Sequence, residues 1–232
     1  MSGNPSAEKA FVSVVVPIYN EERYIAGVIE SIVRQDYGLE NMEILLVDGG
    51  SSDRTAEIIR EYQQKYPQIR LLDNPRRMVQ TGLNVGIQAA GGEYIVRLDA
   101  HADFADDYIS QSIAAIERTG AADVGGPTIA KGTNPVQRMV AAAYHSPFAV
   151  GDSKHYQEGY EGYGETVFMG TFRRETLLEL GMYDERLDCN EDDDLTLRIA
   201  DQGGKIFISS KIKSVYYPRD TYRGLFRQRF RY

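Results

Sequence analysis

Apolar residues in this chain fall into short runs, separated by stretches where they recur every three or four positions. Phe11 to Val16 is an apolar run closed by Pro17; it reads as a strand buried on both faces. Ile25, Val28, Ile29, Ile32 and Val33 follow at helical spacing, with charged residues elsewhere on the wheel. Met42 to Val47 is a second buried strand, ending at Asp48-Gly49-Gly50-Ser51-Ser52-Asp53. That polar cluster leads into a helix striped by Ile58, Ile59 and Tyr62, with Ser52 or Asp53 as its expected N-cap. Ile69 to Leu72 predicts a third strand. Leu83, Gly86, Ile87 and Ala90 mark a small-residue helix stopped by Gly91-Gly92, and Tyr94 to Leu98 a fourth strand.

Strands alternating with helices predict an α/β fold: a mostly parallel, Rossmann-like central sheet with helices on both faces. Ligands of such sheets bind beyond the carboxyl ends of the strands. Pro17 to Glu21, Asp48-Gly49 and Asp99-Ala100-His101 all stand at such ends, so the three are expected to converge on one crevice. Positions 99 and 101 share a face if the fourth strand persists that far. Beyond His101 the pattern loosens. A helix carrying Ile109, Ile113 and Ile116 leads to the short strand Asp123 to Gly126. Residues 144–166, rich in Gly, Tyr and Ser, predict a long functional loop. Val167 to Phe172 reads as extended and Arg174 to Leu180 as helical. Glu191-Asp192-Asp193-Asp194 opens a helix carrying Leu195 and Ile199, and two short strands close the pattern at Lys205 to Ser209 and Ser214 to Tyr217.

With 232 residues the chain can bury one substantial core. The net charge of -8 argues against a nucleic-acid partner, since no basic footprint dominates. A single cysteine, Cys189, points to a reducing compartment. No apolar run reaches the roughly 18–20 residues of a spanning helix, and Met1 to Lys9 lacks a signal-peptide core, so a cytoplasmic protein is expected. The basic and aromatic segment Leu225 to Tyr232 stops without a helix-ending signal, as at a boundary inside a longer chain.

Candidate chemistry is dominated by carboxylates. There is no Gly-x-Gly-x-x-Gly after the first strand, no phosphate-binding Gly-x-x-x-x-Gly-Lys, no His-Glu-x-x-His and no Gly-x-Ser-x-Gly; dehydrogenases, P-loop enzymes, zincins and serine hydrolases lose support. Asp99 beside His101 can hold a divalent cation, or be a turn Asp next to a surface His. Asp48 can accept from a base N–H or ribose hydroxyl, or simply initiate a turn before Gly49. Asn20 and Glu21 can do either ligand binding or helix capping. Four consecutive acids exceed what a helix N-terminus needs, and one beside a cationic cofactor can act as a general base. Arg76-Arg77, Arg97, Arg173-Arg174 and the Arg227 to Arg231 cluster suit phosphate oxygens, though ordinary solvated charge explains any one of them.

Taken in order, these segments resemble the family 2 inverting glycosyltransferases of the GT-A fold. The likeness runs from Val12 to Tyr232. It rests on Val14 to Glu21, Ile44 to Thr55, Asn84 to Tyr94, Asp99-Ala100-His101, Gly170 to Glu185, and Asn190-Glu191-Asp192-Asp193-Asp194-Leu195 against the pattern Gly-Glu-Asp-x-Asp-Leu. Gln228 to Tyr232 is similar to Gln-x-x-Arg-Trp with Tyr for Trp. The subgroup it looks most like is the bacterial exopolysaccharide, succinoglycan-type glucosyltransferases. The departure is His101, where the family usually has the second Asp of Asp-x-Asp; imidazole there suits Mn2+ better than Mg2+, and Asp103 is an alternative ligand.

The resemblance implies a tail at residues 1–10 and one GT-A domain at 11–232. Its nucleotide-binding half would be 11–103 and its acceptor-binding half, a smaller mixed region, 104–232. It further implies a UDP-sugar donor, UDP-glucose first, with Pro17, Tyr19, Glu21, Asp48 and Asp99 at the nucleotide. Asp99 and His101 would hold the metal, Asp192 would be the general base and Glu191 would orient it or the acceptor. Gln228 and Arg231 would close over the diphosphate. The implied acceptor is a saccharide, lipid-linked, which would put the enzyme at the inner membrane face with peripheral contact through its C-terminal end. A nucleotidyltransferase or a non-catalytic nucleotide-sugar-binding subunit are the alternatives.

Overall fold

The apolar runs of the first half lie side by side as parallel strands. A computed structural model describes residues 9–219 and 221–229, except for the side chains of residues 147 and 227–229. The order is β1 (Val12–Ile18), α1 (Ile25–Val33), β2 (Met42–Asp48), α2 (Thr55–Lys65), β3 (Ile69–Asp73), α3 (Val79–Ala89) and β4 (Tyr94–Arg97). The second half adds β5 (Ala102–Phe104), α4 (Tyr108–Thr119), β6 (Asp123–Gly126), β7 (Ile129–Ala130), α5 (Pro135–Tyr144), α6 (Pro147–Val150), β8 (Gly162–Gly164) and β9 (Phe168–Arg173). It ends with α7 (Arg174–Glu179), α8 (Glu191–Asp201), β10 (Ile206–Ile208), β11 (Ser214–Tyr216) and α9 (Tyr222–Arg229).

The main sheet runs β3-β2-β1-β4-β9-β6-β10-β8, and a small second sheet runs β5-β11-β7. The first four strands are parallel throughout. β9 enters antiparallel between β4 and β6, and β8 antiparallel on β10. The mainly parallel sheet expected from the alternation of elements is therefore present, with antiparallel strands confined to the second half. Alternate residues of β1 face opposite helix layers. Val12, Val14 and Val16 pack with Ile25 and Ile29 of α1 and Ile109 and Ile113 of α4. Val15 packs with Leu83 and Ile87 of α3 and with Leu195 and Ile199 of α8. A Cβ at Gly86 would collide with the Val15 side chain, so only glycine lets α3 approach β1 this closely.

Two boundaries differ from expectation. β1 continues through Pro17 to Ile18, paired with β2 as far as Ile18 opposite Asp48. Val15 accepts from Leu98 on the β4 side, and Ile18 accepts from Gly49 on the β2 side. Bonding directions alternate along the strand, so the Pro17 nitrogen faces the β4 side, where pairing has already ended at Val15 opposite Arg97. The missing N–H forfeits no ladder bond. The second difference lies at α2, which starts at Thr55, one or two residues later than a cap at Asp53 or Ser52 would set it. Asp53 still serves that end, its carboxylate accepting from the Thr55 amide at 3.0 Å.

Candidate active site

β4 ends at Arg97, and Asp99-Ala100-His101 is a turn, not a strand continuation. The expectation that strand alternation aligns Asp99 with His101 is therefore corrected: the chain must leave the sheet here to start β5, and the turn carries both side chains into the same cleft. That cleft, about 570 Å³, is bordered by Pro17, Arg97, Asp99, His101, Glu191 and Asp192. It lies beyond the carboxyl ends of β1 and β4, as parallel sheets arrange their ligand sites.

Arg97 organises its acidic side. The last residue of β4, it is 8 % exposed, an ionic group inside an otherwise apolar strand. Its guanidinium contacts the Asp192 carboxylate directly and lies 3.8 Å from both Asp99 and Glu191. A buried cation needs such partners, because burial without them is prohibitive. Burial works against the Arg97 charge, but Asp192, Tyr183, Asp99 and Glu191 together raise its pKa well above the ordinary value. Behind it, burial and the nearby Asp192 raise the carboxyl of Asp123 on β6. Asp123 is 1 % exposed.

Asp192 stands in the first turn of α8 and keeps 43 % of its side-chain surface open. Enclosure by the walls pushes its carboxyl up to about 6, with Glu191 and Asp99 adding to the rise and Arg97 opposing it. α8 begins after Asn190, whose φ of 60° is left-handed. Asparagine is one of the few residues that tolerates this conformation, which accounts for Asn standing where the motif has Gly.

On the opposite side His101 Nδ1 lies 3.7 Å from Glu21 Oε1, and that carboxylate raises its pKa, with burial opposing. Rings continue the wall: His101 to Tyr216 at 6.2 Å, Tyr216 to Phe168 at 5.8 Å and to Tyr144 at 6.2 Å, and Tyr144 to Tyr156 at 5.3 Å. An acid face and an aromatic face across one cleft suit a polyhydroxylated ligand, whose hydroxyls and C–H faces want different partners.

Other expected residues are placed less directly. The Asp48 carboxylate is buried and accepts from the Ser51 amide at 3.1 Å and hydroxyl at 2.6 Å. That geometry matches the turn role; Oδ2 also accepts from the Ser51 amide at 3.2 Å and keeps one lone pair for a ligand. Neither Asp48 nor the half-exposed Tyr19 borders the cleft with Asp99. Convergence of the three strand ends is thus partial: Asn20, which caps no helix, ties the first to the second by accepting from the Ser52 amide. Asp103 sits on β5, outside the cleft border, and accepts from the Tyr217 hydroxyl at 2.7 Å. Gln228 falls in α9 with its side chain outside the described residues, and Arg231 lies outside them altogether.

Among the described residues no three His, Cys, Asp or Glu side chains converge in the geometry of a complete metal site. Asp99 and His101 are the donors on this cleft that would hold a divalent ion, the imidazole suiting Mn2+. The surplus of carboxylates over cations on this cleft favours a bound cation for the same reason.

Residues 13–181 match the family described as Glycosyl transferase family 2. The chain belongs to glycosyl transferase family 2. It is 33 % identical over 221 residues to the succinoglycan biosynthesis protein ExoA of Rhizobium meliloti (strain 1021), covering 94 % of this chain and 67 % of that one. It is 29 % identical over 231 residues to a dolichyl N-acetyl-alpha-D-glucosaminyl phosphate 3-beta-D-2,3-diacetamido-2,3-dideoxy-beta-D-glucuronosyltransferase of Methanococcus voltae, covering 96 % and 71 %. Among solved structures, mannosyltransferase PcManGT from Pyrobaculum calidifontis, in complex with GDP-Man and Mn2+, has a TM-score of 0.73 at 23 % identity, over 96 % of this chain and 61 % of that one. S. aureus TarS 1-349 in complex with UDP-GlcNAc has a TM-score of 0.70 at 20 % identity, over 93 % and 60 %. This glycosyl transferase thus spans roughly two-thirds of its curated relatives and about 60 % of those two solved chains. The fold is that of the GT-A glycosyltransferases, and membership sets aside the nucleotidyltransferase alternative.

Sequence reasoning underrated Arg97 and did not single out Asp123. A lone Arg inside Tyr94-Ile95-Val96-Arg97-Leu98 was the available signal, since a charge in a doubly buried strand needs buried counter-charges. For Asp123 there was only an acid opening a short apolar strand.

Proposed function

We propose that this glycosyl transferase is inverting and metal-dependent, and moves a hexose from a UDP-sugar, UDP-glucose being the first candidate, to a hydroxyl of a lipid-linked saccharide. The observation that carries the reading is Asp192: a carboxylate in the first turn of α8, with a pKa near 6, facing the cleft that Asp99 and His101 share. A general base works best with a pKa close to working pH.

In this mechanism Asp192 accepts the proton of the acceptor hydroxyl while that oxygen bonds to the anomeric carbon. The carbon–oxygen bond to the nucleoside diphosphate breaks, and its electron pair leaves on the phosphate oxygen. One displacement inverts the configuration. Arg97 holds Asp192 and Glu191 in register, and Glu191 orients the acceptor. Asp99 and His101 would hold a divalent ion, which would supply Lewis-acid stabilisation of the departing diphosphate. Glu21 fixes the His101 ring through Nδ1, as an outer partner of a metal ligand does. Pro17, Tyr19 and Asp48 border the nucleoside; the diphosphate role expected of Gln228 and Arg231 falls on groups outside the described ones.

The donor class draws support from the GDP-Man and UDP-GlcNAc bound in the two solved complexes, and the ion from the Mn2+ of one of them. The acceptor class draws support from the two relatives, a succinoglycan biosynthesis protein and a transferase named for a dolichyl N-acetyl-alpha-D-glucosaminyl phosphate. Work at the inner membrane face follows from such an acceptor; no described helix is long and apolar enough to cross a membrane. The test is product analysis with UDP-glucose and Mn2+, wild type against Asp192→Asn. Transfer lost with UDP affinity kept supports the base. Equal loss of both makes Asp192 a donor-binding or structural residue.

A further inference from the structure

The buried carboxyls of Glu43 and Asp48 are supplied with donors. Glu43 accepts from the Ser13 hydroxyl, the Gly91 amide and Arg70, and Asp48 from the Ser51 amide and hydroxyl. Asp123, more deeply enclosed than either, is different: its Oδ1 is buried and has no hydrogen-bond partner among the described residues. The mechanism above gives it no task.

Asp123 opens β6, a strand buried along its whole length. Its Oδ1 lies against Gly170 of β9, where a Cβ would collide with it. Gly170 in turn borders a cavity of about 10 Å³, room for a single water. Arg97, Asp123, Tyr183 and Asp192 border the same cavity. Arg97 Nε is also buried without a partner. Unmet polar atoms around a space of that size are what an internal water satisfies. Groups on the wall of so small a space stand about a water's width apart, which sets Asp123 of β6 beside Asp192 of α8.

Charge decides the form of Asp123. The Arg97 guanidinium is already shared by Asp99, Glu191 and Asp192, and among the described residues no ion pair reaches Asp123. A fourth negative charge here, the most enclosed of the set, is cheapest to neutralise by a proton. The amides of Thr171 and Val124 favour the charged form, but burial and Asp192 outweigh them. Tyr108 of α4 and Tyr183 face the same region and keep their hydroxyl protons, so they bring no charge to it.

We propose that Asp123 is a neutral carboxylic acid that positions Asp192, donating to its carboxylate through a single water held in this cavity. Arg97 Nε donates to the same water. The assignment rests on the reading of Asp192 as the base and adds the group that supports it from behind. A hydrogen bond donated to a carboxylate favours its ionised form, so Asp123 keeps Asp192 ready for a proton where enclosure favours the acid. Asp123 does not border the catalytic cleft and acts only through Asp192.

Infrared difference spectroscopy at pH 8, where exposed carboxyls are ionised, reads the protonation directly. The wild type should show the carbonyl band of a carboxylic acid, lost in Asp123→Asn and shifted but present in Asp192→Asn. In the pH–rate profile, Asp123→Leu should move the acidic limb upward by about one unit, the worth of one hydrogen bond to a charged group. Asp123→Asn, whose amide still donates, should return the limb to its wild-type midpoint. UDP affinity retained in both variants shows them folded; if the leucine variant fails to fold, the band and the asparagine variant decide. Absence of the band in the wild type, or its survival in Asp123→Asn, overturns the proposal. So does a limb that moves downward in Asp123→Asn, the mark of a like charge removed, or one unmoved in a folded Asp123→Leu, the mark of a purely structural acid. Full turnover in Asp192→Asn sinks the base reading instead, and leaves the band of Asp123 in place.

Discussion

The two halves of this glycosyl transferase solve different problems with different kinds of sequence. Through β4 the chain is regular, parallel and apolar, and its polar residues stand at strand ends. Beyond β4 the strands are short and partly antiparallel, yet α8 there carries Glu191 and Asp192. In the proposed mechanism a scaffold built from repeated βα units holds the nucleotide side, and a less regular region brings the reacting carboxylate to it. Arg97 is the joint, since it ends the scaffold and its guanidinium meets the acids of the other half.

If that division of labour is right, damage to the second half should strike turnover and damage to the first should strike nucleotide affinity. The largest effect is expected for Asp192→Asn: turnover falls about 10²–10⁴-fold, with UDP affinity by calorimetry unchanged. Arg97→Gln tests the joint. Removing one member of a buried ionic cluster costs about 3–5 kcal/mol, read as a lower urea midpoint with unchanged slope. The same variant should move the acidic limb of the pH–rate profile upward, because Arg97 opposes the rise of the Asp192 pKa. In the wild type that limb should have its midpoint near 6, activity being lost as pH falls and Asp192 takes up a proton. A limb near 4 would mean that the base is a carboxylate without this environment.

Smaller effects test the first half. Asp48→Ala should weaken UDP and uridine alike by about tenfold, the worth of one lost hydrogen bond to a buried charged group. Equal affinity would leave Asp48 with only its Ser51 turn. The smallest change is expected at Asn190, where glycine should be tolerated within a few tenths of a kcal/mol and valine should cost about 1–2 kcal/mol in thermal stability. If valine left both stability and turnover untouched, the left-handed entry to α8 would have no part in presenting Asp192.

Much of the scaffold was legible because buried parallel strands and amphipathic helices have strong periodicities; β1 to β4 and α1 to α3 follow their apolar residues closely. The second half was less so. The reach of β9 between β4 and β6 depends on pairing across more than seventy residues, and nothing local in Phe168 to Arg173 encodes it. The stretch 144–166 contains α6 and β8, elements too short for a periodic signal. Within the site, Asp192, Glu191, Asp99 and His101 do meet at one cleft. The alignment of Asp99 with His101 was expected from strand geometry but comes from a turn, and the partner that binds the acids together, Arg97, was indistinguishable by type from solvated arginines such as Arg76. Burial, which separates them, is a property of the fold.

Pro17 carries one last consequence. Parallel sheets tend to zip onward wherever two neighbours still present amides and carbonyls. At Pro17 the edge that faces β4 offers a ring in place of a donor, just past the last bond from Leu98 to Val15. The two strands part at the edge of the cleft, and Pro17 presents no amide of its own there. Putting alanine there would add a donor to that opening, free to capture water, phosphate or the turn at Asp99. The residue thus works as a stop on the zipper, and the mouth of the active site begins one residue beyond the place where the sheet gives up.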